Sequence, residues 1–376
     1  MSKLTKVLIG AGLGVFCLCG LLIAVGGYYV LSYQKGSALF SEGRDAMDQR
    51  DYGTAIVKFG AALKRHLPQQ YRAYAFSDLA FSEEFEGHCD RAIRDYTEAL
   101  RLDPAFAFAY SSRGRLYRES GETDKAVTDF SDAIRLDPNA HQAFYGRGLI
   151  DLERKDFDQA IEDLSEAVRT DPSAAFAYAN RGLAYSYKRE FDRALANYDA
   201  ALQLRPKDAR TLVDRAYVRM ETQEQTKAIE DLTAAIRIDP KLEAAYRVRA
   251  SAYTRTGDYG RAVADFQKAL ELNAKDSTVL NDLAWLRATC PQAEIRDAKQ
   301  AITGATAACK MSNWQNASLI DTLAAAYAEA GDFDSALNYQ HQAIRSMKGN
   351  GEKLSEMEER KKLYESHRPY RQPKPN

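Results

Sequence analysis

The sequence predicts an all-α chain, in which one membrane-spanning helix precedes a stack of helix-turn-helix hairpins repeating every 34 residues. Three observations carry that prediction. Pro104, Pro138, Pro172, Pro206 and Pro240 fall at steps of 34. Between them an alanine, a large apolar residue and a second alanine recur at i, i+4 and i+7, which is one face of a helix. Ahead of the repeats, residues 7–31 contain no charged side chain.

The N-terminal run is 25 residues long, about 37 Å as a helix at about 1.5 Å per residue. A hydrocarbon core is about 30 Å thick, so the stretch is long enough to span it with tilt. Lys3 and Lys6 precede it, while Lys35 is soon diluted by Glu42, Asp45 and Asp48. That bias predicts residues 1–6 as a short cytoplasmic tail, residues 7–33 as a single-pass transmembrane helix, and the repeats on the outer, in a bacterium periplasmic, side. Tyr28, Tyr29 and Tyr33 stand where an interfacial aromatic belt would sit. The alternative is a signal segment cleaved near Ala24-Val25-Gly26, leaving a secreted or periplasmic protein. Gly10 and Gly14 form a small-xxx-small pair that could join two membrane helices into a homo-oligomer.

Within the repeats, Ala92, Ala126, Ala160, Ala194, Ala228 and Ala262 keep the 34-residue step. Four residues on come Tyr96, Phe130, Leu164, Tyr198, Leu232 and Phe266, and three further come Ala99, Ala133, Ala167, Ala201, Ala235 and Ala269. The alanines admit a second helix closely and the large residue fills the hole. The other half of each unit is helical too: Tyr110, Arg113, Gly114 and Tyr117 recur as Tyr178, Arg181, Gly182 and Tyr185. Gly121, Gly257 and Gly331 fall at the turn between the helices.

These residues resemble the tetratricopeptide repeat, with a large residue, Gly or Ala, and Tyr on the first helix, Ala-aromatic-Ala on the second, and a closing Pro. The resemblance implies a right-handed α/α superhelix. It covers about nine units over residues 36–350: 36–69, 73–106, 107–140, 141–174, 175–208, 209–242, 243–276, a degenerate 277–316 interrupted by Cys290-Pro291, and 317–350. Such hairpins bury their faces only against neighbours, so the ends need caps. Residues 352–366 read as a capping helix and 367–376 as a disordered, Pro-rich basic tail.

The seventh position of the first helix holds Arg113, Arg147, Arg181, Arg215 and Arg249, and sixteen residues later stand Asp129, Asp163, Asn197, Asp231 and Asp265. Each arginine is expected to pair within its hairpin, with Arg181 the exception that faces an asparagine. The second unit has Asp95 but Leu79 at the partner position. A row of arginines would otherwise suit an anion.

The resemblance implies that first helices line a concave groove. The candidate groove residues are Tyr74, Phe81, Phe108, Arg115, Tyr145, Leu149, Phe176, Arg181, Leu183, Arg210, Tyr217 and Arg247. The surface would be aromatic at first and mixed aromatic and basic beyond, suiting an extended peptide or amphipathic helix with some acidic character. The Lys/Asn set of the carboxylate-clamp subclass is absent.

Balanced charge, 52 basic against 53 acidic residues, argues against nucleic acid. No catalytic, cofactor or metal constellation stands out. His88-Cys89 are adjacent rather than convergent, and Trp285, Cys290, Cys309 and Trp314 in the degenerate unit read as an altered packing joint. The expected function is a membrane-anchored, non-enzymatic scaffold binding a peptide or partner protein, with a self-associating assembly factor as the alternative.

Overall fold

The computed structural model describes residues 27–347 and 351–374. All of its regular structure is helical, and among the described residues there is no strand. The helices are α1 (27–48), α2 (Tyr52–Leu63), α3 (Gln69–Phe85), α4 (Cys89–Leu102), α5 (Ala107–Glu119), α6 (Thr123–Leu136), α7 (His141–Glu153), α8 (Phe157–Thr170) and α9 (Ala175–Tyr187). They continue as α10 (Phe191–Leu204), α11 (Ala209–Glu221), α12 (Gln225–Ile238), α13 (Glu243–Thr256), α14 (Tyr259–Leu272), α15 (Ser277–Thr289), α16 (Ala298–Met311), α17 (Ala317–Glu329), α18 (Phe333–Ser346) and α19 (Glu352–Glu365). The chain divides into two compact units, with the boundary along the sequence falling within α9, between Asn180 and Arg181.

In the first unit α3 packs on α4, α5 on α6 and α7 on α8. The second helix of each pair buries the expected face: Ala126, Phe130 and Ala133 are at most 1% exposed, as are Ala160, Leu164 and Ala167. The second unit repeats this with Ala228, Leu232 and Ala235 on α12, and Ala262, Phe266 and Ala269 on α14. The aromatic knobs need glycine opposite them. A Cβ at Gly146 would lie 2.7 Å from Phe130 Cε1 and closer still to Cζ, and one at Gly182 would lie 2.9 Å from Tyr198 Cε1. Phe130 is therefore seated between Gly114 and Gly146, tying α6 to α5 and α7.

The turn inside the regular hairpins runs through a left-handed residue. Gly121, Gly257 and Gly331 take it, as expected, and so does Gly87. Lys155, Arg189 and Gln223 adopt the same conformation at the 34-residue step, with φ of 61–62°. A side chain there costs about 1 kcal/mol or more against glycine, and packing on both sides of the turn sustains it. Asp51, Asp156, Asp258 and Asp332 cap second helices by accepting a backbone N–H three residues on.

Two expectations change. The single-pass localisation argued from residues 7–33 is corrected: among the described residues no helix is long and apolar enough to cross a membrane. Residues 7–26, including Gly10, Gly14, Cys17 and Cys19, lie outside the described residues. Residues 27–33 are the start of α1, which runs straight on into Glu42, Arg44, Asp45 and Asp48. They pack on the connection after α2: Ser32 Oγ lies 3.1 Å from His66 Nδ1, and the Tyr29 ring stands 4.3 Å from the His66 ring. The placement of the repeats on an outer or periplasmic side, drawn from that span, is withdrawn with it.

The second change is at residues 367–374, expected to be disordered. They lie against α15, α17 and α19: Tyr370 packs by Trp285, and the Gln372 amide donates to Thr289 O at 2.9 Å.

The glycine account predicts opposite outcomes for two identical substitutions. Gly146→Ala overpacks Phe130 and should lower stability by about 1–3 kcal/mol. Gly60→Ala, inside α2 with nothing within 4 Å of the added methyl, should raise it by about 0.5–1 kcal/mol. Urea midpoints of the two variants check this; equal shifts of one sign would refute it.

Candidate functional site

The arginine row comes first, because its geometry decides what is left for a ligand. Arg113 donates from Nε to Asp129 Oδ2 and from Nη2 to Asp129 Oδ1, both at 2.8 Å. Arg147 makes the same fork on Asp163 at 2.6 and 2.8 Å, Arg215 on Asp231 at 2.9 and 2.6 Å, and Arg249 on Asp265 at 2.7 and 2.9 Å. The hydrogen bonds it donates to Asp163 hold the Arg147 guanidinium above its ordinary value, as those donated to Asp265 do for Arg249. Arg181 donates from Nε to Asn197 Oδ1 at 2.7 Å, so it too is engaged in its hairpin.

The third arm of each fork was missed by sequence reasoning. Nη1 of Arg113 reaches Thr97 Oγ1 at 2.9 Å, Arg147 reaches Ser131 Oγ at 3.2 Å, Arg215 reaches Asp199 Oδ1 at 2.6 Å and Arg249 reaches Thr233 Oγ1 at 3.1 Å. Each of these four arginines thus closes its own hairpin and latches the one before. The signal was there to read: Thr97, Ser131, Asp199 and Thr233 keep the 34-residue register with the arginines. With its donors committed inward, the row has no fork left to offer an anion at Arg113, Arg147, Arg215 or Arg249.

The second hairpin departs from this pattern. Opposite Asp95 stands buried Glu83, four residues after the leucine that replaces the arginine. Burial, reinforced by the hydrogen bond and charge of Glu83, pushes the Asp95 carboxyl up to about 7. Two carboxyl groups thus face each other where the other hairpins place an ion pair.

In the first unit, five of the expected groove residues come together. Phe81, Phe108, Arg115, Tyr145 and Leu149 line one cavity of about 290 Å³ on the surface of α3, α5 and α7. Phe85 and Glu84 complete it, and neither was anticipated. Phe85 stacks on Tyr52 at 4.5 Å and stands 4.8 Å from Phe81, building an aromatic wall. Glu84 pairs with Arg115, which also donates to Glu119 at 3.1 Å. Arg115 is therefore a braced wall of the cavity. Burial pushes the Glu84 carboxyl up. Tyr74 stands apart, edge-on to Phe106 at 5.2 Å. Phe176 is half exposed on α9, its carbonyl accepting from Asn180, which also donates to Tyr145 Oη at 3.3 Å.

In the second unit, Leu183 and Tyr217 share a cavity of about 460 Å³ with Tyr187, Phe191, Asp214 and Glu221. Arg181, Arg210 and Arg247 do not line it; Arg247 lies 3.8 Å from Glu243 on its own helix. The expected basic character gives way to an acidic one. Burial pushes the Asp214 carboxyl up to about 6 despite nearby Arg210. Asp78, Asp214 and Asp282 occupy one position of the repeat, a register that would have revealed the acidity.

The tryptophans and cysteines of the degenerate unit are dispersed. Cys290 is buried with Tyr253 and Phe266, and Cys309 with Ala305 and Ile320. Trp285 faces Tyr370 while Trp314 stacks on Tyr339. Burial pushes both thiols up, Cys309 to about 11, so neither is a thiolate at neutral pH. Among the described residues no group of three or more His, Cys, Asp or Glu is placed to hold a metal ion.

Tetratricopeptide repeat family profiles match residues 111–175, 175–208 and 205–355. A small glutamine-rich tetratricopeptide repeat-containing protein 2 from Mycosarcoma maydis is 39% identical over 84 residues, which is 21% of this chain and 22% of that protein's length. Among solved structures, the Cut9–Hcn1 tetramer of APC/C superposes with a TM-score of 0.56 at 15% identity, covering 92% of this chain and 82% of the other. Pseudomonas aeruginosa pilF superposes with a TM-score of 0.52 at 16% identity, covering 57% of this chain and 98% of its own. At these identities the likeness is one of fold.

The carboxyl pair predicts a pH dependence. Asp95 titrates near 7 in the fold against 3.8 ordinarily. The folded state therefore holds more protons between those values, and stability falls as pH rises through that window. Asp95→Asn removes the titration. The variant should have a higher melting temperature than the parent at pH 8, and the gap should narrow toward pH 5. A gap that is constant with pH would sink the assignment.

Proposed function

From the membership of residues 111–355 in the tetratricopeptide repeat family, we propose that this chain is a non-catalytic protein-interaction scaffold that receives a peptide segment of a partner on the first helices of residues 69–153. Tetratricopeptide repeat proteins act by binding other proteins. One observation carries the finer reading. The cavity rimmed by Phe81, Phe85, Phe108, Tyr145 and Leu149 leaves Phe108 42% and Phe85 55% exposed. Apolar rings standing in water around a concavity are the signature of a surface completed by a ligand.

The chemistry of the occupant follows from the walls. An apolar or aromatic side chain fills the ring-lined space, and the braced Arg115 and Arg118 favour acidic residues beside that anchor. Arg118 lines the same cavity and donates from Nη1 to Glu153 Oε1 at 3.2 Å, which holds its charge at the rim. The binding mode is that of an anchor in a groove, with affinity concentrated on the buried ring.

A photocrosslinking amino acid at position 108, in cells of the native host, tests this. It should trap one or a few discrete partners, lost when Phe81 and Leu149 are both replaced by Ser. The same probe at Val57, exposed on α2, is the control. Phe108→Ala should leave the melting temperature nearly unchanged, since exposed substitutions cost about 0.5 kcal/mol or less. Identical adduct patterns from positions 108 and 57 would contradict the proposal.

A further inference from the structure

The degenerate eighth hairpin differs from the others in how its first helix ends. Elsewhere the turn after the first helix folds backbone N–H groups onto the last carbonyls, as Gly121 does on Arg118 O and Glu122 on Tyr117 O. After α15 the chain leaves in extended form at Cys290, followed by Pro291, and has no such turn. The terminal carbonyls of a helix need donors from elsewhere, and its negative dipole end favours a cation. Arg296 supplies one donor, to Cys290 O at 3.0 Å. Those for Ala288 and Thr289 come from residues 371–372.

The approach of that segment is built from its sequence. His367 takes the left-handed conformation that ends α19, and the Arg368 amide donates back to Leu363 O at 2.9 Å. Pro369 then keeps the chain extended. Tyr370 lies 5.7 Å from the Trp285 ring, and the Arg360 guanidinium stands 5.4 Å from Trp285 and 5.5 Å from Tyr370, held by Asp321 at 2.9 Å. The Arg371 guanidinium pairs with Glu329 on α17 and points at Ala288 O, while the Gln372 amide donates to Thr289 O.

We propose that the ends of α15 and α17 form a peptide-binding site for an extended aromatic–arginine segment, and that residues 370–372 are its occupant in cis. The site shares no residue with the cavity of residues 81–149 and does not rest on it. Every element of recognition is that of a bound peptide: an aromatic anchor against Trp285, a charge-assisted pair on Glu329, and a backbone hydrogen bond on an open helix end. A partner segment with the same Tyr-Arg chemistry competes for it. A tethered occupant acts at an effective concentration of the order of millimolar. An intrinsic affinity of tens of micromolar is then enough to keep the site mostly closed.

The test uses a fluorescein-labelled peptide of residues 367–374 and two chains, the full one and one ending at residue 366. Anisotropy should show saturable binding to the shortened chain, with Kd at or below about 100 µM, and at least about tenfold weaker binding to the full chain. Replacing Tyr370 or Arg371 by Ala in the peptide, or Glu329→Gln in the shortened chain, should each weaken binding about tenfold or more. If the shortened chain fails to fold, the full chain carrying Tyr370→Ala and Arg371→Ala replaces it, and should bind the peptide as the shortened chain would. A helical, folded receptor that does not bind the peptide, equal binding by opened and full chains, or indifference to Glu329→Gln would overturn the proposal and leave the segment a permanent cap.

Discussion

The fork between a first-helix arginine and the aspartate sixteen residues on is the interaction on which the rest of this molecule depends. Asp129, Asp163, Asp231 and Asp265 are at most 7% exposed, in helices that otherwise bury alanine and large apolar side chains. A carboxylate so placed is costly unless it is paired and hydrogen-bonded. The bidentate guanidinium satisfies both its oxygens, and the remaining Nη1 crosses to the preceding hairpin. One side chain therefore fixes both the closure of a hairpin and the spacing to its neighbour. The aromatic knob does the apolar part of the same task, as Phe130 shows by occupying the space left by Gly114 and Gly146.

Because these periodic groups face inward, specificity is left to positions that do not repeat. In the first unit those positions are aromatic and enclose a cavity braced by Arg115 and Glu84. In the second, Asp214 and Glu221 stand among tyrosines instead. The interruption at Cys290-Pro291 adds a third character, an open helix end that takes Arg371 and the Gln372 amide. Irregularity in a repeat array is thus where unpaired surface groups arise, since a regular hairpin consumes its own donors and acceptors.

The periodic features were legible in the sequence for the same reason. The alanine–large–alanine face, the left-handed turn at Gly121, Gly257 and Gly331, and the pairing of Arg113 with Asp129 recur at 34 residues, so each is read several times over. Phe81, Phe108, Arg115, Tyr145 and Leu149 were expected on one surface because the family resemblance assigns their repeat positions to a groove. What was not legible depended on contacts without a period. Glu83 standing beside Asp95, Glu84 claiming Arg115, and the packing of residues 370–372 on Trp285 each join partners that occur once. Lys155, Arg189 and Gln223 hid the left-handed turn, because packing overrode the preference for glycine. The apolar run was read from hydropathy alone, and residues 27–33 instead open a helix that continues as an ordinary polar one.

The most direct test of the account is a double-mutant cycle on the Arg147–Asp163 fork, read by urea unfolding. Arg147→Met and Asp163→Leu should each destabilise by about 3–5 kcal/mol, because each strands a buried partner. The double variant should fall well short of the sum, with a coupling of about 2 kcal/mol or more. Additive losses, with a coupling near zero, would mean that the fork is incidental to the fold and that the arginine row is free for another purpose.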